Sequence, residues 1–137
     1  MTREEHLAQV RRWLTYARSD LRAAERFLSD PEPEPWQACF HSQQAADKGL
    51  KAILVFLQVE FQKVHDLRGL AELIPAEWGL GSRIPALAEL SVWAVEGRYP
   101  GDWPDATLAD ATEAVGVARA FLGWVLAEFP SRGCPTV

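Results

Sequence analysis

Four polar side chains recur along one predicted helix at intervals of three or four residues. They are His41, Gln44, Lys48 and Lys51. At about 100° per residue, this spacing places all four within a sector of about 80° on one helix face. Cationic and hydrogen-bonding groups in such a line could bind a phosphate or an acidic partner. A solvated polar face has the same spacing, so both interpretations stay open at this point.

Two predicted connecting segments carry further polar residues that could contribute to a site. His65 precedes Asp66, which is a good N-cap for a short helix, so this histidine is either a neighbour of a cap or a titratable ligand group. Arg98 and Tyr99 lie in a turn-rich segment, where binding groups often collect but where both could be structural. We predict one polar cleft that binds a phosphate-bearing ligand, formed by His41, Gln44, Lys48, Lys51, His65, Arg98 and Tyr99.

Several other kinds of chemistry lack their sequence patterns. The two cysteines, Cys39 and Cys134, form neither a CxxC motif nor a cluster with histidine, which argues against a zinc site or a disulfide scaffold. The sequence contains no glycine-rich phosphate loop in a strand–turn–helix context, no HExxH, no GxSxG and no repeated Glu-x-x-His pair. We therefore expect neither a metal nor a cofactor.

The composition predicts one globular domain over residues 1–137, since 48% of the residues are hydrophobic and 24% are charged. No apolar run approaches the length of a membrane span, and the N-terminus lacks the apolar region of a signal peptide. We expect a cytoplasmic protein that does not bind a membrane. The formal net charge of −5 does not favour duplex nucleic acid, although it leaves room for a local basic groove.

Hydrophobic periodicity predicts the helices that would position these residues. They cover about 4–29, 35–59, 67–77, 83–96 and 108–129. Thr2 and Glu5 form a capping-box pattern before the first helix, and either Asp105 or Thr107 caps the last, which Pro130 closes. Sustained period-two alternation is absent from the sequence. The predicted fold is an all-α, antiparallel up-and-down bundle of four to five helices, over about 4–130, with a tail at 131–137.

The second predicted helix is apolar nearly all round its C-terminal half. Apolar residues there include Ala52, Ile53, Leu54, Val55 and Phe56. A helix of this kind is either central in its own bundle or shared with another subunit. We therefore predict a homo-oligomer, most simply a two-fold dimer.

Residues 39–54, CFHSQQAADKGLKAIL, resemble the signature helix of HEPN-domain proteins, which reads roughly F-H-x-Q-Q-A-A-E-K-x-L-K-A-L. The segments 65–67 and 98–100 resemble the H-D-L and R-Y-P of that family and follow in the same order. The resemblance covers about residues 8–127. It implies an antiparallel helical bundle that commonly dimerises and often accompanies a minimal nucleotidyltransferase, in some cases as a toxin–antitoxin pair.

The resemblance also implies nucleotide or RNA binding, and many family members are metal-independent ribonucleases. Their motif is an arginine followed, after four to six residues, by a histidine, and no histidine of this sequence follows an arginine at that spacing. We therefore expect a non-catalytic HEPN module that binds a nucleotide or RNA phosphate, or partners a nucleotidyltransferase, or does both. The alternatives are a divergent ribonuclease that uses His41, His65 and Arg98, and a purely structural dimer.

Overall fold

The structure is a computed structural model that describes residues 1–62, 66–94, 100–102 and 105–135. Within these residues the chain forms five α-helices: α1 (Arg3–Ser29), α2 (Pro35–Leu57), α3 (Leu67–Glu72), α4 (Ile84–Leu90) and α5 (Leu108–Ser131). Short 3₁₀ turns lie at Ala76–Trp78, Gly81–Arg83, Ser91–Trp93 and Pro100–Asp102. No strand occurs in the described ranges. The prediction of an all-α fold is confirmed.

Capping boxes fix the start of both long outer helices. At α1, the Thr2 hydroxyl accepts from the Glu5 backbone N–H at 3.0 Å, and the Glu5 carboxylate accepts from the Thr2 backbone at 2.8 Å. Thr107 and Asp110 form the same pair of bonds at α5, at 3.0 and 2.9 Å. Each box satisfies two backbone donors that the first helical turn leaves without partners. Of the two caps that the sequence allowed for the last helix, the structure selects Thr107.

α2 lies at the centre, packed against α1, α5 and the α3–α4 segment. α1 runs antiparallel to α2, because His6 in the first turns of α1 lies 2.7 Å from the carbonyl oxygen of Val55, near the end of α2. α5 runs parallel to α2, since the rings of Phe56 and Phe129, near their C-terminal ends, lie 5.4 Å apart. The α3–α4 segment therefore returns the chain to the start of α5, as an up-and-down order requires.

The chain's own helices cover most of the apolar surface of α2. Leu50, Ile53 and Leu54 are fully buried, and so are Ala45 and Ala52 on its other sides. Of the two interpretations of an all-round apolar helix, this arrangement is the central one. The apolar surface of α2 therefore does not itself call for a second subunit, and the dimer stays a prediction.

α2 and α5 approach each other closely at Gly49. A Cβ atom at this position would lie 2.9 Å from Cε2 of Phe121. Real Cβ contacts are longer, so glycine is the residue that lets the Phe121 ring lie directly against the α2 backbone. This contact fixes the distance between the two parallel helices.

Three helix ends differ from their predicted positions. α3 ends at Glu72 rather than about Glu77, because Pro75 disfavours helical conformation in the residue before it. α4 gives way to a 3₁₀ turn after Leu90, and its predicted end at about residue 96 lies outside the described residues. α5 continues through Pro130 to Ser131, so that proline does not close it. None of the described helices combines the length and apolar character needed to cross a bilayer.

Candidate functional site

A carboxylate of α1 joins two of the predicted site residues on α2. Asp20 Oδ1 lies 2.9 Å from Nδ1 of His41, and Asp20 Oδ2 forms a close ion pair with Nζ of Lys48. We call these three residues the Asp20 cluster. The side chain of Asp20 is 13% exposed, while those of His41 and Lys48 are 25% and 26% exposed. Ligands can therefore reach the two donors, although Asp20 already engages both.

Aromatic contacts fix the orientation of the His41 ring. Phe27 of α1 stacks on it with ring centroids 5.6 Å apart. Phe40 meets it edge-on, with ring centroids 5.2 Å apart. When Nδ1 donates its proton to Asp20, a neutral imidazole presents Nε2 as an acceptor. Among the described residues, no group forms a hydrogen bond with this Nε2. The second ring nitrogen is thus held at a partly exposed position where a ligand could meet it.

Lys51, one turn further along α2, is buried rather than solvated. Its Nζ donates to Asp47 Oδ2 at 2.9 Å and lies 5.9 Å from the ring centroids of Trp13 and Phe61. Only 6% of Lys51 is exposed. Asp47 and Lys51 are therefore a buried ion pair next to two aromatic rings, and little of the Lys51 side chain is open to a phosphate.

The remaining predicted site residues divide into one that the structure places and three that it does not describe. Gln44 donates through Nε2 to the buried Gln43 side chain at 2.7 Å. His65, Arg98 and Tyr99 lie outside the described residues. The structure thus brings His41 and Lys48 together, directs Lys51 and Gln44 to other partners, and leaves the loop side of the predicted cleft untested.

Two acidic residues of this region were not among the predicted site residues. Asp47 stands four residues before Lys51, a spacing that predicts an ion pair on one helix, so the sequence did contain a signal for it. Asp20 meets its partners across two helices, at sequence separations of 21 and 28 residues. That contact depends on how far α1 is shifted along α2, which the periodicity of either helix alone does not determine.

Neither cysteine is suited to act as a nucleophile in the folded chain. Burial raises the pKa of the Cys39 thiol to about 12, and the nearby negative charge of Asp110 adds to the effect. Burial also raises the pKa of Cys134, against the opposing effect of Arg11 and Arg3. Across the described part of the chain, no three carboxylate, imidazole or thiol groups converge in a way that could hold a metal ion.

The residues that form these helices match a known protein family. The HEPN domain model matches residues 10–128. The chain belongs to the HEPN family. The predicted resemblance is therefore confirmed over most of the sequence, from within α1 to near the end of α5. It extends to the fold and to α2, which carries the signature phrase.

Two solved structures resemble this HEPN domain over nearly their whole lengths. ST0689, an archaeal HEPN homologue, is 27% identical with a TM-score of 0.68, and the alignment covers 93% of this chain and 98% of that one. TT1696 from Thermus thermophilus is also 27% identical, with a TM-score of 0.72 and coverage of 85% and 95%. No curated protein is significantly similar to this chain in sequence.

Proposed function

We propose that this HEPN domain is a non-catalytic module that binds a nucleotide or RNA phosphate at the Asp20 cluster. One observation carries the proposal: Nδ1 of His41 and Nζ of Lys48 converge on the two oxygens of a single carboxylate. Donors arranged in this way can also bind two oxygens of one phosphate, as charge-assisted hydrogen bonds. Both side chains are about a quarter exposed, which gives a ligand access.

In this proposal, Asp20 is the group that the phosphate replaces. Asp20 neutralises Lys48 in the ligand-free domain, so a bound phosphate must compete with a carboxylate on the neighbouring helix. A phosphate carries more negative charge than a carboxylate and therefore gains more from the ammonium group of Lys48. Binding should consequently depend on salt concentration, because the charged side chain of Lys48 is partly exposed.

Calorimetric titration with ATP, GTP and a short RNA tests this site. We expect Lys48→Met to weaken binding about tenfold or more, because it removes the one permanent cation of the Asp20 cluster. Arg68→Gln is the matched control, since it also removes one charge from a surface ion pair, with Glu72 at 3.8 Å, but on α3. Unchanged affinity in Lys48→Met, or an equal loss in Arg68→Gln, would contradict the proposed site.

A divergent ribonuclease is the second candidate, and one observation favours it. Asp20 holds Nδ1 of His41, which leaves Nε2 in the orientation that a general base needs. Such a base could take the proton of a ribose 2′-hydroxyl while Lys48 stabilises the phosphate charge. Because the family's arginine-to-histidine motif is absent, we expect no cleavage of RNA in the presence of a chelator. Cleavage that His41→Ala abolishes would favour the enzyme instead.

We extend the proposal to the partners that the family resemblance implies. The domain would act in the cytoplasm as a homodimer and would pair with a minimal nucleotidyltransferase. A toxin–antitoxin pair is one form that this partnership would take. Sedimentation equilibrium at micromolar concentration should give at least twice the 15.3 kDa of one chain. Purification from the native cell should recover a nucleotidyltransferase with the domain. A monomer at that concentration would contradict the dimer, and purification of the domain without that enzyme would contradict the partnership.

A further inference from the structure

The outer face of α1 carries a set of exposed or partly exposed arginines. They are Arg11, Arg12, Arg18, Arg22 and Arg26. At about 100° per residue, they occupy a sector of about 120° around the helix axis. All five are exposed or partly exposed. Within the described residues, none of them forms an ion pair with a carboxylate. We call this surface the arginine face.

Three arginines elsewhere in the chain do form ion pairs with carboxylates. Arg68 pairs with Glu72 at 3.8 Å, Arg119 with Glu25 at 2.7 Å, and Arg132 with Glu128 at 3.3 Å. The whole chain has 19 acidic residues against 14 basic ones. Residues 10–29, in contrast, contain five arginines and two acids, which gives a local net charge of +3.

Neither acid in that stretch neutralises the arginine face. Asp20 is bound by His41 and Lys48 of α2, and Glu25 is bound by Arg119 of α5. The positive potential of the face is therefore not cancelled within its own helix. A local cluster of this kind attracts anions even on a protein of negative net charge, because charges beyond about 10 Å are screened at ordinary salt.

The spacing of the arginines is unfavourable for the helix itself. Arg18, Arg22 and Arg26 follow one another at intervals of four residues, which places each guanidinium next to another of the same charge. Like charges at this spacing destabilise a helix. Arg26, in the last turn of α1, is favourable for the helix dipole, but the repeated like-charge spacing is explained better by an anion that binds along the helix.

Two dimensions of the arginine face indicate what kind of anion it fits. From Arg11 to Arg26 the helix rises by about 22 Å, which exceeds the reach of the phosphates of one nucleotide and suits a chain of phosphates. Tyr16 lies beside this face, four residues after Arg12, and is 55% exposed. An exposed aromatic ring next to a basic groove is the combination with which proteins bind single strands, through base stacking and backbone contacts.

We propose that the arginine face binds the backbone of a single-stranded nucleic acid, with Tyr16 stacking on one base. This surface is separate from the Asp20 cluster, since Asp20 projects about 140° around the axis of α1 from the centre of the arginine face. The inference deepens the proposed function and rests on its ligand class, because both surfaces require phosphates. It adds a polynucleotide surface to a site that holds a single phosphate group.

Fluorescence anisotropy with a labelled uridylate strand of about 20 nucleotides tests the proposal. We expect log affinity to fall against log salt with a slope of about −3.5, since five arginines on phosphates of a single strand each contribute about −0.7. Arg18→Gln/Arg22→Gln should weaken binding at least about tenfold at about 50 mM salt and reduce the slope by about 1.4. The matched control, Arg68→Gln/Arg83→Gln, removes the same charge elsewhere and should leave affinity within about twofold.

Two further variants separate the two surfaces and the two kinds of contact. Tyr16→Leu should weaken RNA binding about fivefold or more while leaving the salt slope unchanged, because stacking releases no counterions. Lys48→Met should weaken ATP binding about tenfold or more, but should weaken binding of the uridylate strand less than Arg18→Gln/Arg22→Gln does. If the strand binds and ATP does not, the proposed site at the Asp20 cluster fails and the arginine face stands. If ATP binds and the strand does not, the arginine face fails and the Asp20 cluster stands.

Three results would overturn the arginine face. They are the absence of RNA binding at about 50 mM salt, an equal loss in the control double variant, and binding of poly-glutamate as tight as that of RNA. The last result would identify an acidic protein as the partner. Circular dichroism confirms that each variant remains helical, which we expect because glutamine is a good helix former at exposed positions.

Discussion

The cations of α2 and those of α1 differ in whether the protein supplies their counterions. On α2, His41 and Lys48 share Asp20, and Lys51 has Asp47. On the arginine face of α1, the described structure supplies no carboxylate partner. A buried ammonium group must be paired, whereas an exposed guanidinium stays hydrated without a partner. The burial of the counterion, rather than the number of cations on a helix, thus separates Lys51, which serves the fold, from His41 and Lys48, whose partly exposed counterion a ligand can replace. The arginine face has no internal counterion to replace among the described residues.

The largest test of this difference is Asp47→Ala. This substitution leaves the charge of Lys51 buried next to Trp13 and Phe61, so we expect the free energy of unfolding to fall by about 3 kcal/mol or more. The double variant Asp47→Leu/Lys51→Met removes both buried charges and keeps most of the volume, and should cost much less than Asp47→Ala. Urea unfolding followed by tryptophan fluorescence measures both. A loss in the double variant as large as that in Asp47→Ala would show that the unpaired buried charge is not the cause of the instability.

A smaller effect on stability is expected for Asp20→Asn in the partly exposed cluster. We expect a loss of about 1 kcal/mol, because water can replace part of the missing carboxylate contact. Affinity for ATP should at the same time rise severalfold, since Lys48 no longer has an internal anion. Glu25→Gln is the control, because it removes the other paired acid of α1, and should leave ATP binding unchanged. Weaker ATP binding in Asp20→Asn would show that Asp20 positions the ligand rather than competing with it.

The smallest change in stability is expected for Arg22→Glu on the arginine face, and it should be a gain. The new carboxylate would lie four residues from both Arg18 and Arg26, which should raise the free energy of unfolding by about 0.5 kcal/mol. High salt should remove that gain, as thermal unfolding at two salt concentrations would show. RNA affinity should fall more than about tenfold in the same variant. A loss of stability would mean that Arg22 already has a structural role and would end the contrast between the two helices.

The sequence predicted the long helices well because their signals are local. Three of these signals can be recognised without knowing what packs against the helices. They are the hydrophobic periodicity of α1, the capping box of Thr2 and Glu5, and the signature phrase of α2. The end of α3 at Glu72 was missed because the short helix competes with the turn before Pro75. Pro130 was expected to end α5, yet a proline in the last turn costs only one backbone bond, and the helix tolerates it.

Site prediction from the sequence was limited by contacts between helices. His41 and Lys48 were selected for their spacing, and they do meet at one point, but the carboxylate that joins them belongs to α1. Lys51 fits the same spacing, although its neighbours on other elements bury it. Which member of a polar line faces solvent depends on the offset between α1 and α2, and helical periodicity carries no information about that offset.

The reactivity of the two buried thiols reports on local unfolding of the domain. Cys39 lies within the helix core near the start of α2, and Cys134 lies at the far end, held by a backbone bond of 2.9 Å to Phe129 and near the contact of Arg3 with Gly133. A thiol reagent needs access and a thiolate, and the intact fold withholds both. The rate at which Cys134 reacts therefore measures how often one end of the bundle frays. The rate at which Cys39 reacts measures how often the central helices separate.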